Sequence, residues 1–123
     1  MSKRNKKVMV FGTFDGLHEG HRYFLSEARK LGDYLVVVVA HDRAVRELKN
    51  REPKQKMEER VAALTNAALA DEVVIGDEVQ GSWEVLTIHQ PDVVAIGHDQ
   101  HTLKKILEGK GFSIVQIDIH SRT

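Results

Sequence analysis

No cysteine occurs in the 123 residues, which removes both a disulfide frame and thiolate chemistry and suits a reducing compartment. Excess charge of either sign is missing too. Eighteen basic residues balance 18 acidic ones, which argues against a general nucleic-acid binder, whose footprint is a basic surplus. The longest apolar run, Tyr34 to Ala40, falls far short of a membrane span. The basic opening from Met1 to Lys7 lacks the apolar core of a secretory signal, so it reads as a frayed tail, disordered over residues 1–6. Repeats, low-complexity tracts and linkers are absent, and the length suits one domain over 1–123. The expectation is a cytoplasmic protein that binds neither membrane nor nucleic acid.

What is present is globular in character, with 41% apolar and 29% charged residues. Short β-branched runs at Val8 to Phe11, Tyr34 to Ala40, Val73 to Ile75, Val93 to Ile96 and Phe112 to Ile117 fit strands covered on both faces. Helical stripes lie between them. Phe24, Leu25, Ala28 and Leu31 form one that stops at Gly32, and Met57, Val61, Leu64 and Ala68 form a second. Leu103, Ile106 and Leu107 form a third, ended by Gly109 and Gly111, and a weaker one runs from Trp83 to His89. Strand–helix alternation predicts an α/β fold, a Rossmann-like doubly wound parallel sheet of about five strands with helices on both faces. Right-handed crossovers then gather the post-strand loops at one sheet edge. These loops are Gly12 to Gly20, His41 to Lys54, Gly76 to Ser82, Gly97 to His101 and Asp118 to Thr123.

The first loop carries the strongest chemistry. Gly12-Thr13-Phe14-Asp15-Gly16-Leu17-His18-Glu19-Gly20-His21 runs from a strand into a turn of small residues and then opens a helix with two histidines three positions apart. Imidazole donors and free backbone N–H groups at a helix N-terminus attract phosphate. Gly20 leaves room for a base or ribose against the main chain. A capped helix with two surface histidines is the bland alternative. Rival motifs fail on spacing. Zinc-peptidase helices need ligands at i and i+4, and the loop has neither the G-x-G-x-x-G fingerprint nor the Gly-Lys-Ser/Thr of a P-loop. With no cysteine, no protein-bound metal site is expected.

This segment resembles the His-x-Gly-His signature of the cytidylyltransferase-like nucleotidyltransferases, and the resemblance covers nearly the whole chain. Leu31 to Val37, Glu58-Glu59-Arg60 and Asp71 to Gly76 resemble successive segments of the glycerol-3-phosphate cytidylyltransferase and FAD synthase groups. Pro91-Asp92-Val93-Val94-Ala95-Ile96-Gly97-His98-Asp99-Gln100 resembles the fourth strand of archaeal-type FAD synthases. The resemblance implies transfer of a nucleoside monophosphate from ATP or CTP to a phosphorylated acceptor, with pyrophosphate released and a divalent cation, Mg²⁺, required. ATP and FMN giving FAD is the leading expectation. CTP:glycerol-3-phosphate transfer and a non-catalytic nucleotide-binding module are the alternatives. It further implies that Gly12, Thr13, Phe14 and Gly20 contact the nucleotide, that His18 and His21 bind its phosphates and carry the catalysis, and that Asp99 meets the ribose or base. A homodimer is implied as the assembly.

In the second loop, Lys49 and Arg51 match the position where, in the enzymes this chain resembles, a basic residue reaches the acceptor phosphate, with a solvated loop as the alternative. Arg60 either joins them or pairs within its helix. Trp83 is expected in the core rather than stacked on flavin, and His98 and His101 are expected to line the crevice without a chemical role. One departure stands out. Relatives carry a Ser/Thr-rich segment after the last strand that grips the triphosphate, whereas this sequence runs Asp118-Ile119-His120-Ser121-Arg122-Thr123. A chain lacking that segment is expected to bind NTP weakly.

Overall fold

The computed structural model describes residues 6–79, 82–97 and 100–117. Among these residues five strands form one parallel sheet: β1 (Lys7–Gly12), β2 (Tyr34–Val39), β3 (Glu72–Ile75), β4 (Val93–Gly97) and β5 (Ile114–Ile117). Their spatial order is β3-β2-β1-β4-β5. Among the described residues five helices accompany them: α1 (Glu19–Arg29), α2 (Asp42–Lys49), α3 (Met57–Ala67), α4 (Glu84–His89) and α5 (His101–Gly109). The doubly wound sheet is as the alternation of residue periods predicts.

Alternation along each strand sorts the core into two layers. Val8, Val10, Leu35, Val37 and Val39 pack with Phe24, Leu25 and Ala28 of α1 and Leu64 of α3. Met9, Val36, Val38, Val94 and Ile96 pack with Val85 and Leu86 of α4 and Leu107 of α5 on the other face. Leu25, Leu64 and Leu107 are essentially solvent-free, and each contributes about 1.5–3 kcal/mol by that burial. The chain winds outward from β1 to β3, then crosses back to β4. This reversal puts the two helix pairs on opposite faces and opens a crevice between β1 and β4.

Three expectations are corrected. Lys7 belongs to β1, not to a tail, because acidic side chains hold the strand's start. Lys6 N donates to Asp33 Oδ2 at 3.1 Å and Lys7 N to Asp92 Oδ2 at 2.7 Å, while Lys7 Nζ donates to the His89 carbonyl. Gly32 is required beside them, since a Cβ there would lie 2.5 Å from the Lys6 carbonyl oxygen. The stretch from His41 to Lys54 is not all loop, because Asp42–Lys49 is helical. His41 Nδ1 accepts from Arg43 N, Ala44 and Val45 face inward, and Asn50 closes the helix at φ 56°. The last strand starts at Ile114 rather than Phe112.

Candidate active site

Pairing of β1 with β2 continues to Gly12 and Val39, whereas pairing of β1 with β4 ends at Val10 and Ala95. Gln100 occupies the split. Its Oε1 accepts from Gly97 N at 2.8 Å and its Nε2 donates to the Phe11 carbonyl at 3.0 Å. Above it lies an open cleft of about 720 Å³, within the range of small-molecule sites. Gly12, Thr13, Phe14, His18, His21, Lys49 and Arg51 all line it.

The two histidines build a capping box from imidazoles. His18, the N-cap of α1, accepts from Gly20 N through Nδ1 at 3.1 Å, and His21 Nδ1 accepts from His18 N at 3.3 Å. An Nδ1 that accepts carries no proton, so each neutral ring has its hydrogen on Nε2. The rings stack with centroids 3.8 Å apart and planes 19° from parallel. Burial, then the neighbouring His18 and Lys49, lowers the His21 pKa from 6.5 to about 4. At neutral pH it is therefore an uncharged donor fixed at the positive end of a helix. Gly20 does not line the cleft. Its open face receives the His18 ring, whose Cε1 would sit 3.1 Å from an added Cβ.

Phe14 braces this stack from below. It is buried in the core at 5% exposure and meets the His21 ring edge-on at 5.1 Å. A Cβ on Gly12 would come within 2.7 Å of Phe14 Cε2, so the glycine is what lets the ring fold back. Among the described residues, five non-glycines have positive φ. Asn50, Ala68 and Gln90 are helix C-caps. The other two, Phe14 and Trp83, both line the cleft, where strained backbone concentrates.

Asp15 latches the loop to the start of α3. Its carboxylate accepts from Lys54 N at 2.8 Å and Gln55 N at 2.9 Å, while Gln55 Oε1 accepts from Gly16 N. Burial pushes the Asp15 pKa upward, but the two amide bonds, with Arg60 and Arg51 nearby, outweigh it and hold the carboxyl below its ordinary value. Arg60 is neither a phosphate ligand nor an intrahelical partner. It is fully buried beneath the site and donates to the carbonyls of Gln55, Thr13 and Ala40 and to Asp42. From the sequence no individual role was read for Asp15, Gln55 or Gln100. Their roles depend on which backbone groups the crossovers bring near.

Lys49 and Arg51 are exposed at the rim, and Arg51 Nη1 lies 4.0 Å from Asp15 Oδ2. His101 opens α5 without lining the cleft. Trp83 packs against the α4/α5 layer, edge-on to Phe11 at 6.0 Å, and also lines the cleft. Asp99, His98 and Ser121 to Thr123 lie outside the described residues.

The cytidylyltransferase-like family model matches residues 9–121. FAD synthase of Thermococcus sibiricus is 43% identical over 97% of this chain and 84% of its own length, and that of Thermococcus onnurineus 48% identical over 81% and 69%. Among solved structures, the lipopolysaccharide core biosynthesis protein of Thermoplasma volcanium superposes with a TM-score of 0.81 at 30% identity, covering 98% of this chain and 100% of that one. Pantoate-beta-alanine ligase of Francisella tularensis, at 12% identity and a TM-score of 0.65, shares the fold over 96% of this chain and 60% of its own.

Proposed function

The chain belongs to the cytidylyltransferase-like family and is a nucleotidyltransferase, and from that premise we propose that it joins ATP and FMN to give FAD and diphosphate. A phosphate oxygen of FMN attacks the α-phosphorus of ATP, the bond from that phosphorus to the β-bridging oxygen breaks, and diphosphate leaves with the electron pair. The chain's part is to orient the two phosphates in line and to stabilise the charge that spreads onto their oxygens. One observation carries the reading. The stacked His18 and His21 rings, with both Nδ1 atoms committed to backbone amides, hold two Nε2–H donors ready at the α1 N-terminus. Donors that need no reorientation are worth most where charge develops.

The remaining roles follow the cleft. Lys49 and Arg51, at its rim, take the acceptor phosphate. Gly12, Thr13 and Phe14 present backbone to the nucleotide, Gly20 serves by seating the His18 ring, and Asp99 is assigned to the ribose or base by its match to the family. Mg²⁺ is the proposed cation. Among the described residues no three His, Asp or Glu groups converge on a metal site, and Asp15 already accepts two amides. The described residues thus offer no ligand set for a resident ion, and the proposed Mg²⁺ comes with the triphosphate. A cytoplasmic homodimer is the proposed state, to be checked by sedimentation. No described helix is long and apolar enough to cross a membrane.

The test is diphosphate release measured with ATP or CTP, each with FMN, with glycerol 3-phosphate, and alone. Release with ATP and FMN, accompanied by FAD, is expected. Release with CTP and glycerol 3-phosphate but not with FMN would replace the acceptor assignment. Nucleotide binding with no release for any pair would make the chain a binding module.

A further inference from the structure

The cleft is lined by two kinds of side chain, and only one kind has a role so far. The polar kind includes His18, His21, Lys49 and Arg51. The other is apolar: Leu48 at the end of α2, Val79 after β3, Trp83 at the start of α4, and Leu103 and Ile106 along α5. Leu48 is 69% exposed, Val79 56% and Ile106 37%. Exposed aliphatic groups that share one concave site, rather than scattering over the surface, mark a surface kept for an apolar ligand. Trp83 adds a second sign. Its backbone sits at φ 53° as a helix N-cap without a side-chain cap bond, a strained position that aims the largest ring of the chain at the cleft. Phe11 fixes it edge-on at 6.0 Å.

We infer that Leu48, Val79 and Trp83 form the wall against which the flavin ring of the acceptor lies. The inference rests on the FMN reading above and extends it to the part of the acceptor that does not react. Leu48 and Lys49 are neighbours on α2, and Lys49 is close enough to His21 to depress its pKa. An acceptor whose phosphate is held by Lys49 and Arg51 beside the histidines therefore extends its other end toward Leu48. In FMN that end is a planar, largely apolar tricycle on a flexible polyol, which matches an aliphatic and aromatic wall. Glycerol 3-phosphate has no such group and would leave the wall wet. Recognition of the ring would be the source of acceptor choice, since the phosphate contact is common to every phosphorylated acceptor.

The test uses Leu48→Gln and Val79→Ser, both at exposed positions where folding is insensitive, and Trp83→Leu. FAD formation should show KM for FMN raised about tenfold in Leu48→Gln and in Val79→Ser, with kcat at saturating FMN and KM for ATP unchanged. Flavin emission, excited in its visible band, should be quenched when FMN binds the wild-type protein and restored in Trp83→Leu, because quenching by an indole requires near contact. A raised KM for ATP in place of FMN would assign the wall to the adenine base and overturn the inference. So would variants that leave both constants unchanged while FAD is made normally, an outcome that leaves the FMN reading intact. No FAD from the wild-type protein, with diphosphate released to another acceptor, would remove both.

Discussion

Arg60 and Asp42 meet at 2.6 Å between Nη2 and Oδ1, the guanidinium wholly buried and the carboxylate side chain 18% exposed. The same guanidinium donates to the Thr13 carbonyl at 2.8 Å, the Ala40 carbonyl at 2.9 Å and the Gln55 carbonyl at 3.0 Å. One side chain thus joins the first loop, the exit of β2, the start of α2 and the approach to α3. A planar fork with fixed donors can satisfy acceptors in several directions at once, which an ammonium cannot.

Arg60→Leu should therefore lower the unfolding free energy by about 3–5 kcal/mol, because it strands a nearly buried carboxylate and three carbonyls. Arg60→Lys should recover only part of that loss. Urea denaturation of the three proteins measures both, and equal stability of the lysine variant and the wild type would show that the fork geometry is immaterial.

The imidazole capping box allows structure and chemistry to be separated. Asn is a favoured N-cap and Gln a favoured N3 partner, so His18→Asn and His21→Gln keep acceptors for the Gly20 and His18 amides while removing the stacked rings. Each should lower kcat by about 10²–10³-fold with Tm nearly unchanged. A parallel fall in Tm and kcat would mean that the rings serve the helix more than the reaction.

How much of this could be read beforehand differs by level. The sheet and four helices were legible because buried strands read as unbroken runs such as Leu35-Val36-Val37-Val38-Val39, and helices as stripes such as Met57, Val61 and Leu64. Helix α2 was missed because charge dominates its eight residues and only Ala44 and Val45 are buried. Its Arg43–Glu47 pair, four apart and 3.3 Å between Nε and Oε2, was the available signal. Arg60 was misread although it stands four residues before Leu64, on the inward stripe. A buried arginine is so rare that composition argues against it, and two of the three carbonyls that stabilise it, those of Thr13 and Ala40, come from distant segments. His18 and His21 were read as phosphate donors from their place in the post-strand loop and from the resemblance to the His-x-Gly-His signature, but their tautomer needed the backbone amides of the first turn.

Acid should weaken the fold in two stages. The unfolded chain takes up a proton at His21 near pH 6.5, while the folded chain resists until about 4, so stability is lost as pH falls through that window. Two carboxylates act lower down. The Arg29 bridge, then the Leu35 amide, holds Asp71 below its ordinary 3.8. Asp15 is lowered by its two amides against the opposing effect of burial. Their stabilisation is complete well above pH 3.8 and is lost as pH falls through their depressed values. Unfolding free energy measured across pH should be flat above 6.5 and decline in both windows, and His21→Gln should abolish the upper decline alone. Persistence of that decline in the variant would place its origin in another group.

Gly12 and Gly20 should respond in opposite ways to the same added methyl. At Gly12 a Cβ meets Phe14 Cε2 at 2.7 Å and Cζ at 2.9 Å, and the Phe14 ring has nowhere to go because it is already core. Gly12→Ala should cost about 1–3 kcal/mol of stability by overpacking. At Gly20, inside the first turn of α1, alanine is worth about 1 kcal/mol in helix propensity. The group crowded there is the exposed His18 ring, 3.1 Å away at Cε1, which can swing outward by giving up its cap bond to Gly20 N, a loss of about 1 kcal/mol that the propensity gain offsets. Gly20→Ala should therefore leave Tm level or higher, yet lower kcat, because the displaced ring leaves its stack with His21. Thermal melts and steady-state rates on the two variants decide the point. A Gly20→Ala protein with raised Tm and full kcat would show that the stacking of the two imidazoles has no part in the reaction.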